Sequence, residues 1–196
     1  MYSQKTWGGP TEPHILVKFL PNTVKDDSDP ITSLIIFEWK DYDLVGVLPT
    51  ADSIQVCILR SYLHIHLEVL TSIKKEYICD AETIQNKWCN TNQTGEFILA
   101  ENATERSKNV IFTKAVHLKT PGLPINYGIK KTGYYCVGST GFSPDGVEYK
   151  ATIEFRNAYG ELPAAQIAKL PFYGGLTIVY AVIGAYVEVR THTISC

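Results

Sequence analysis

Two histidines, His64 and His66, stand two residues apart in the run YLHIHLEV. A strand would place both on one face, where their imidazoles are two of the ligands a metal ion needs. No third ligand at a matching spacing accompanies them, so polar-face histidines are the better reading. Cys136 with His117 would supply a thiol nucleophile and a base, but in an oxidising compartment such a thiol is more commonly taken into a disulfide. The chain contains no G-x-S-x-G, H-E-x-x-H, G-x-G-x-x-G or P-loop, so the common hydrolase, metalloprotease and nucleotide-binding classes lose their strongest signal. Trp7, Trp39 and Trp88, with 12 tyrosines, offer flat faces to a carbohydrate, although such residues more often fill a β-sandwich core. These residues support no named reaction, and the expectation is a protein without catalysis, cofactor or metal.

The cysteines and sequons carry a different chemistry. Cys57, Cys79, Cys89 and Cys136 lie upstream and Cys196 ends the chain. None forms a C-x-x-C pair, which argues against zinc and for an oxidised framework; four cysteines allow three connectivities, and spacing does not choose among them. Asn92-Gln93-Thr94 and Asn102-Ala103-Thr104 are both N-glycosylation sequons, in one polar stretch. Together with the cysteines they point to a luminal or extracellular domain. No signal peptide opens the chain at Met1, so the true start is expected further upstream. Net charge is −2 and no Lys/Arg run exceeds two residues. Nucleic acid is therefore not an expected partner, since phosphate binding needs concentrated basic surface.

The elements that must position these residues are short apolar runs broken by turn signals, the pattern of antiparallel β structure. Strands are expected at residues 14–20, 34–39, 54–59, 62–69, 96–100, 110–118, 133–138 and 147–155. In the last of these Val147, Tyr149, Ala151, Ile153 and Phe155 alternate with polar residues, as in a half-buried strand, and Pro144-Asp145-Gly146 is a turn signal between it and the strand before. About eight strands at this spacing read as a β-sandwich. Asp80 is placed to cap one short helix over residues 81–88. The Asp-rich loop at residues 26–30 matches no EF-hand and reads as a solvated turn. Residues 157–168 read as a connector with a short helix starting at Pro163.

The chain closes on an uncharged run of 18 residues, from Leu170 to Val187. A helix needs roughly 20 apolar residues to cross a bilayer. Its eight strongly apolar residues contribute about −4 kcal/mol to insertion, offset by Pro171, three glycines and three tyrosines, so the run is marginal as a span. Glu188 and Arg190 close it. The alternative is a buried core helix or a last strand.

Several stretches resemble the GOLD-domain seven-transmembrane proteins (the lung seven-transmembrane receptor family), specifically fungal members. They are MYSQKTWGGPTEPHILVKF at residues 1–19, YICDAETIQNKWC at 77–89 with GEFILA at 95–100, TGYYCVGSTGF at 132–142, and RNAYGELPAAQIAKLPFYGGLTIVYAVIGAY at 156–186. The last is the most specific and resembles the join between a luminal domain and a first membrane helix. The resemblance implies a luminal GOLD β-sandwich over a seven-helix bundle in Golgi or endosomal membranes, with a role in trafficking. VEVRTHTISC does not resemble a continuing first helix, so a fragment is expected.

The organisation that follows is a luminal GOLD-like antiparallel sandwich over residues 1–157, a connector over 158–169, a truncated first transmembrane helix over 170–187 and a divergent tail over 188–196. Expected partners are the lipid bilayer, through Leu170 to Val187, and a luminal protein or glycan. The candidate modification sites are Asn92 and Asn102, and the disulfide candidates are Cys57, Cys79, Cys89 and Cys136. The competing expectation is a secreted lectin-like sandwich whose C-terminal run is a buried strand.

Overall fold

A computed structural model describes residues 1–6, 9–21, 29–48, 75–142, 148–161, 163–167 and 169–194. Six strands fall among them: β1 (His14–Phe19), β2 (Ile31–Glu38), β3 (Phe112–His117), β4 (Ile125–Gly128), β5 (Tyr135–Gly141) and β6 (Ala151–Arg156). They form two open three-stranded sheets, β4-β1-β6 and β3-β2-β5. This is the mainly-β, antiparallel class read from the sequence. The strands expected at residues 54–59 and 62–69, with His64, His66 and Cys57, lie outside the described residues.

Every residue of β2 from Thr32 to Glu38 is buried. It runs antiparallel to β3, with Ile31 opposite His117, and to β5, with Phe37 opposite Cys136. A central strand must place its polar side chains against partners as well as its apolar ones against the core. Thr32 Oγ1 donates to the Thr140 carbonyl at 3.0 Å, and Ser33 Oγ donates to the Gly95 carbonyl. Leu34, Ile35, Ile36 and Phe37 supply the apolar part, and Ile35, Phe37 and Val45 pack with Tyr77, Phe97 and Leu99 in one cluster. In β1 burial alternates cleanly: Ile15, Val17 and Phe19 are buried while the residues between them are not.

Three expectations change on contact with the structure. The turn signal at residues 144–146, itself outside the described residues, does not close a hairpin, because β5 pairs with β2 and β6 pairs with β1. The fully buried β2 gives Cys136 and Val137 apolar neighbours that a solvated hairpin would not. The expected inward face of β6 is largely open, with Ile153 42% and Phe155 39% exposed at the edge of its sheet. Residues 96–100 make isolated bridges, Ile78 with Phe97 and Val45 with Leu99, instead of a strand. β4 was not expected; with Asn126 and Gly128 alternating with Ile125 and Tyr127, it offers only two apolar positions to a pattern search.

By contact the chain divides into two compact units. The larger comprises Leu16–Tyr127 and Gly133–Ile153. The smaller comprises Met1–Ile15, Gly128–Thr132 and Glu154–Cys196, and within it the amino terminus is tied to the connector. The Tyr2 N–H donates to Asn157 Oδ1 at 3.1 Å, the rings of Tyr2 and Tyr159 meet at 6.5 Å, and Gly9 lies so close to the Ala158 carbonyl that a Cβ would stand 2.1 Å from its oxygen. Ser3, Thr6 and Thr132 share a hydroxyl network in which Thr132 Oγ1 accepts from the Ser3 N–H at 2.9 Å and donates to Thr6 Oγ1 at 2.7 Å.

Among the described residues two helices sit near the C-terminus and two short ones precede them: α1 (Ala81–Gln85), α2 (Ala103–Arg106), α3 (Ala164–Ile167) and α4 (Lys169–Ile194). Pro163 opens α3 as expected, its carbonyl accepting from the Gln166 N–H at 2.9 Å. α4 runs for 26 residues, and it does not stop at Val187 but continues through Glu188 and Arg190. Both are good helix formers, so they end the apolar stretch without ending the helix. The divergent tail is therefore helical as far as Ile194. Nor is the run a strand or a core helix: Phe172 is 66%, Ile178 67% and Val182 63% exposed. Apolar on all sides and exposed, the helix is long and apolar enough, over Lys169–Arg190, to cross a membrane.

Truncating the centre of β2 tests this core. Leu34→Ala is expected to cost about 2–5 kcal/mol, because Leu34 is fully buried. Equilibrium denaturation should show a lower midpoint at unchanged slope.

Candidate functional site

The described part of the segment between the 3-10 turn Trp39–Leu44 and β3 carries Cys79, Cys89 and both sequons, and local rules shape much of residues 75–111. Asp80 caps α1 through a reciprocal pair: the Thr83 N–H donates to Asp80 Oδ1 at 2.9 Å, and the Asp80 N–H donates to Thr83 Oγ1 at 2.8 Å. Lys87 then takes a left-handed φ of 61°, which reverses the chain and returns Cys89 to Cys79. The two are joined as a disulfide with Cα atoms 6.0 Å apart. Of the candidate cysteines, Cys136 is unpaired among the described residues, half-buried on β5, with its thiol pushed up by burial. Such a thiol is a poor nucleophile.

The chain turns twice more before β3. A 3-10 turn at Thr91–Gln93 exposes Asn92. Asn102 then adopts φ 57° and ψ 23°, a conformation Asn tolerates better than most residues, and precedes α2. Asn102 is exposed, its side chain makes no capping bond, and Ala103 beside it is buried. Between the disulfide and α2 lies a cavity of about 380 Å³, lined by Trp88, Gln93, Phe97, Asn102, Thr104 and Glu105 among others. It combines an aromatic wall with several uncharged hydrogen-bonding groups and one carboxylate, a lining suited to a polyol or a peptide edge.

The other residues singled out from the sequence do not converge here. His117 ends β3 at the surface, its Nδ1 2.8 Å from Asp29 Oδ2. Cys136 lies on the opposite side of β2, where the residues facing the two are Ile31 and Phe37. Six strand positions separate those, about 20 Å, so the thiol and imidazole cannot act as a pair. Trp7 is outside the described residues. Trp39 is 58% exposed and stacks on Tyr42 at 5.4 Å, so neither it nor Trp88 fills the core. Among the described residues no group of three or more His, Cys, Asp or Glu side chains is placed to hold a metal ion.

A second cluster gave no signal in the sequence. Glu38 and Asp41 are each only 3% exposed. Glu38 accepts from Asn109 Nδ2 and packs on Gly133, where a Cβ would stand 2.6 Å from Oε1. Asp41 Oδ1 accepts from the Lys108 N–H at 3.2 Å, while its buried Oδ2 has no partner among the described residues. Tyr127, whose hydroxyl donates to the Val110 carbonyl at 2.6 Å, is pushed up to about 12, first by burial and then by the charges of Asp41 and Glu38. Both carboxylates are thereby tied into the packing at the end of β2 and the turn that follows it. A short motif search cannot find them, because Glu38, Asp41, Asn109 and Tyr127 meet only after folding.

An antiparallel β domain with a disulfide, followed within a short connector by an unburied apolar helix, fits the class of membrane-associated proteins with a folded domain beside the membrane element. The family model for the PTM1-like N-terminal domain matches residues 1–157, and the chain belongs to that family. It is 32% identical over 192 residues to membrane protein PTM1 of Saccharomyces cerevisiae, covering 93% of this chain and 32% of the relative. It is 27% identical over 186 residues to an uncharacterized membrane protein of Schizosaccharomyces pombe, covering 93% of this chain and 34% of the relative. The chain thus spans about a third of the length of these fungal membrane proteins. No solved structure matches. Relatives of this kind and a helix of this composition together fit membrane association.

Two measurements probe the geometry. Replacing Cys79 and Cys89 with Ser opens a short loop and is expected to cost about 2–3 kcal/mol of stability, read by thermal unfolding. Tyr127 should make stability fall at alkaline pH. Its folded value lies above the unfolded value of 10.0, so its contribution is complete below pH 10 and is lost as pH rises towards about 12. Denaturation profiles across that window should be flatter in Tyr127→Phe.

Proposed function

We propose that this chain is the lumen-facing N-terminal part of a Golgi or endosomal multi-span membrane protein that acts in membrane trafficking. In this reading residues 1–157 are a GOLD-like sandwich, and α4 is the first helix of a seven-helix bundle. The domain binds a protein or glycan partner and performs no catalysis. The single observation that carries the reading is the Cys79–Cys89 disulfide in the same exposed segment as both sequons, Asn92 and Asn102. A cystine persists on the oxidising side of a membrane, the side on which Asn-x-Thr is glycosylated. The family match and α4 support the membrane half of the proposal, and the resemblance at residues 156–186 supports the bundle.

The test is topological. In fungal cells expressing the native gene, the protein should resist carbonate extraction and run faster after endoglycosidase treatment. The mobility change should disappear in the double variant Asn92→Gln, Asn102→Gln. A protein released by carbonate would contradict the anchor. A carbonate-resistant protein with both sequons unmodified would put the domain on the other face of the membrane.

A further inference from the structure

We propose that the cavity beside the Cys79–Cys89 disulfide is filled by the protein's own carbohydrate, the N-glycan of Asn102, whose first sugar lies against Trp88. The inference rests on the lumen-facing reading above and adds to it a defined occupant for the cavity. Three observations carry it.

First, Asn102 and Thr104, the two defining residues of one sequon, both line the cavity. Buried Ala103 between them fixes the tripeptide to the fold, so a group on the Asn102 amide begins at the cavity wall. Second, the amide is available: Asn102 is exposed and its side chain makes no capping bond. Third, the lining matches an N-acetylhexosamine. Trp88 and Phe97 present apolar faces for the sugar's C–H face, and Gln93 and Glu105 present hydrogen-bonding groups for its hydroxyls and acetamido N–H. At about 380 Å³ the cavity falls within the range that holds a small ligand. Asn92 is a built-in control, since it too is exposed but is not among the residues lining the cavity.

The modification itself is a transfer from a polyisoprenyl-pyrophosphate oligosaccharide. Asn102 Nδ2 forms a bond to the anomeric carbon of the first sugar as that carbon's bond to the pyrophosphate oxygen breaks. The lipid pyrophosphate leaves with the electron pair, and the amide nitrogen gives up one proton. In the folded domain the attached sugar covers the aromatic wall, which gives the Asn102 glycan a structural role and leaves the Asn92 glycan free.

The chain recovered from the secretory pathway with its glycans tests this. Mass spectrometry gives the occupancy of each sequon, and a time course with a peptide N-glycosidase under native conditions gives the rate at which each glycan is released. The Asn102 glycan should come off roughly five- to tenfold more slowly than the Asn92 glycan, as expected for one aromatic contact. In folded Trp88→Ala the two rates should converge. Equal rates in the unsubstituted chain overturn the proposal, a result that needs no variant to fold. So does a rate difference that persists in folded Trp88→Ala, or occupancy of Asn92 with Asn102 bare. If neither sequon carries sugar, the lumen-facing reading falls first and this inference with it.

Discussion

The burial of β2 on both faces is the constraint from which the rest of the domain follows. A strand enclosed on every side has no water to satisfy its polar groups, so each must find a partner in the protein. Its main chain meets β3 and β5, so β5 joins the sheet of β2 while its sequence neighbour β6 pairs with β1 in the other. Its side chains reach further: Ser33 fixes the backbone at Gly95, and Glu38 holds Asn109. In this way a single strand holds the chain just after the disulfide loop and just before β3, and leaves no room for a side chain at Gly133.

What could be read from the sequence divides along the same line. β1, β2, β3 and β5 show as apolar runs because their burial depends on their own residues. The Asp80–Thr83 cap and Pro163 at the start of α3 also show, since both are rules of nearest neighbours. Pairing does not show, because the partner of Cys136 on β2 is set by contacts about a hundred residues away. The Glu38, Asp41 and Tyr127 cluster is invisible for the same reason. α4 outruns the uncharged stretch, since Glu188 and Arg190 end apolarity without ending a helix. The site was half legible: the sequons and cysteines stand out as motifs, but nothing in their spacing places Trp88 and Phe97 across from Asn102.

The family match and the structure answer different questions. The match says that this chain shares ancestry with fungal membrane proteins about three times as long, and covers the β domain and its junction. The structure says what the described residues offer: a disulfide-closed segment with a cavity, two enclosed carboxylates, and an apolar helix exposed along its length.

The lacing of Tyr2 and Gly9 onto Asn157, Tyr159 and Ala158 has a mechanical consequence. These contacts span some 155 positions of chain and sit a few residues before α3 and α4. A segment that would otherwise be a slack tether is stiffened at its root. Freeing the amino terminus from the connector therefore means breaking the Tyr2–Asn157 hydrogen bond and opening the close approach of Gly9 to Ala158, so the two ends of the β domain are held as one piece.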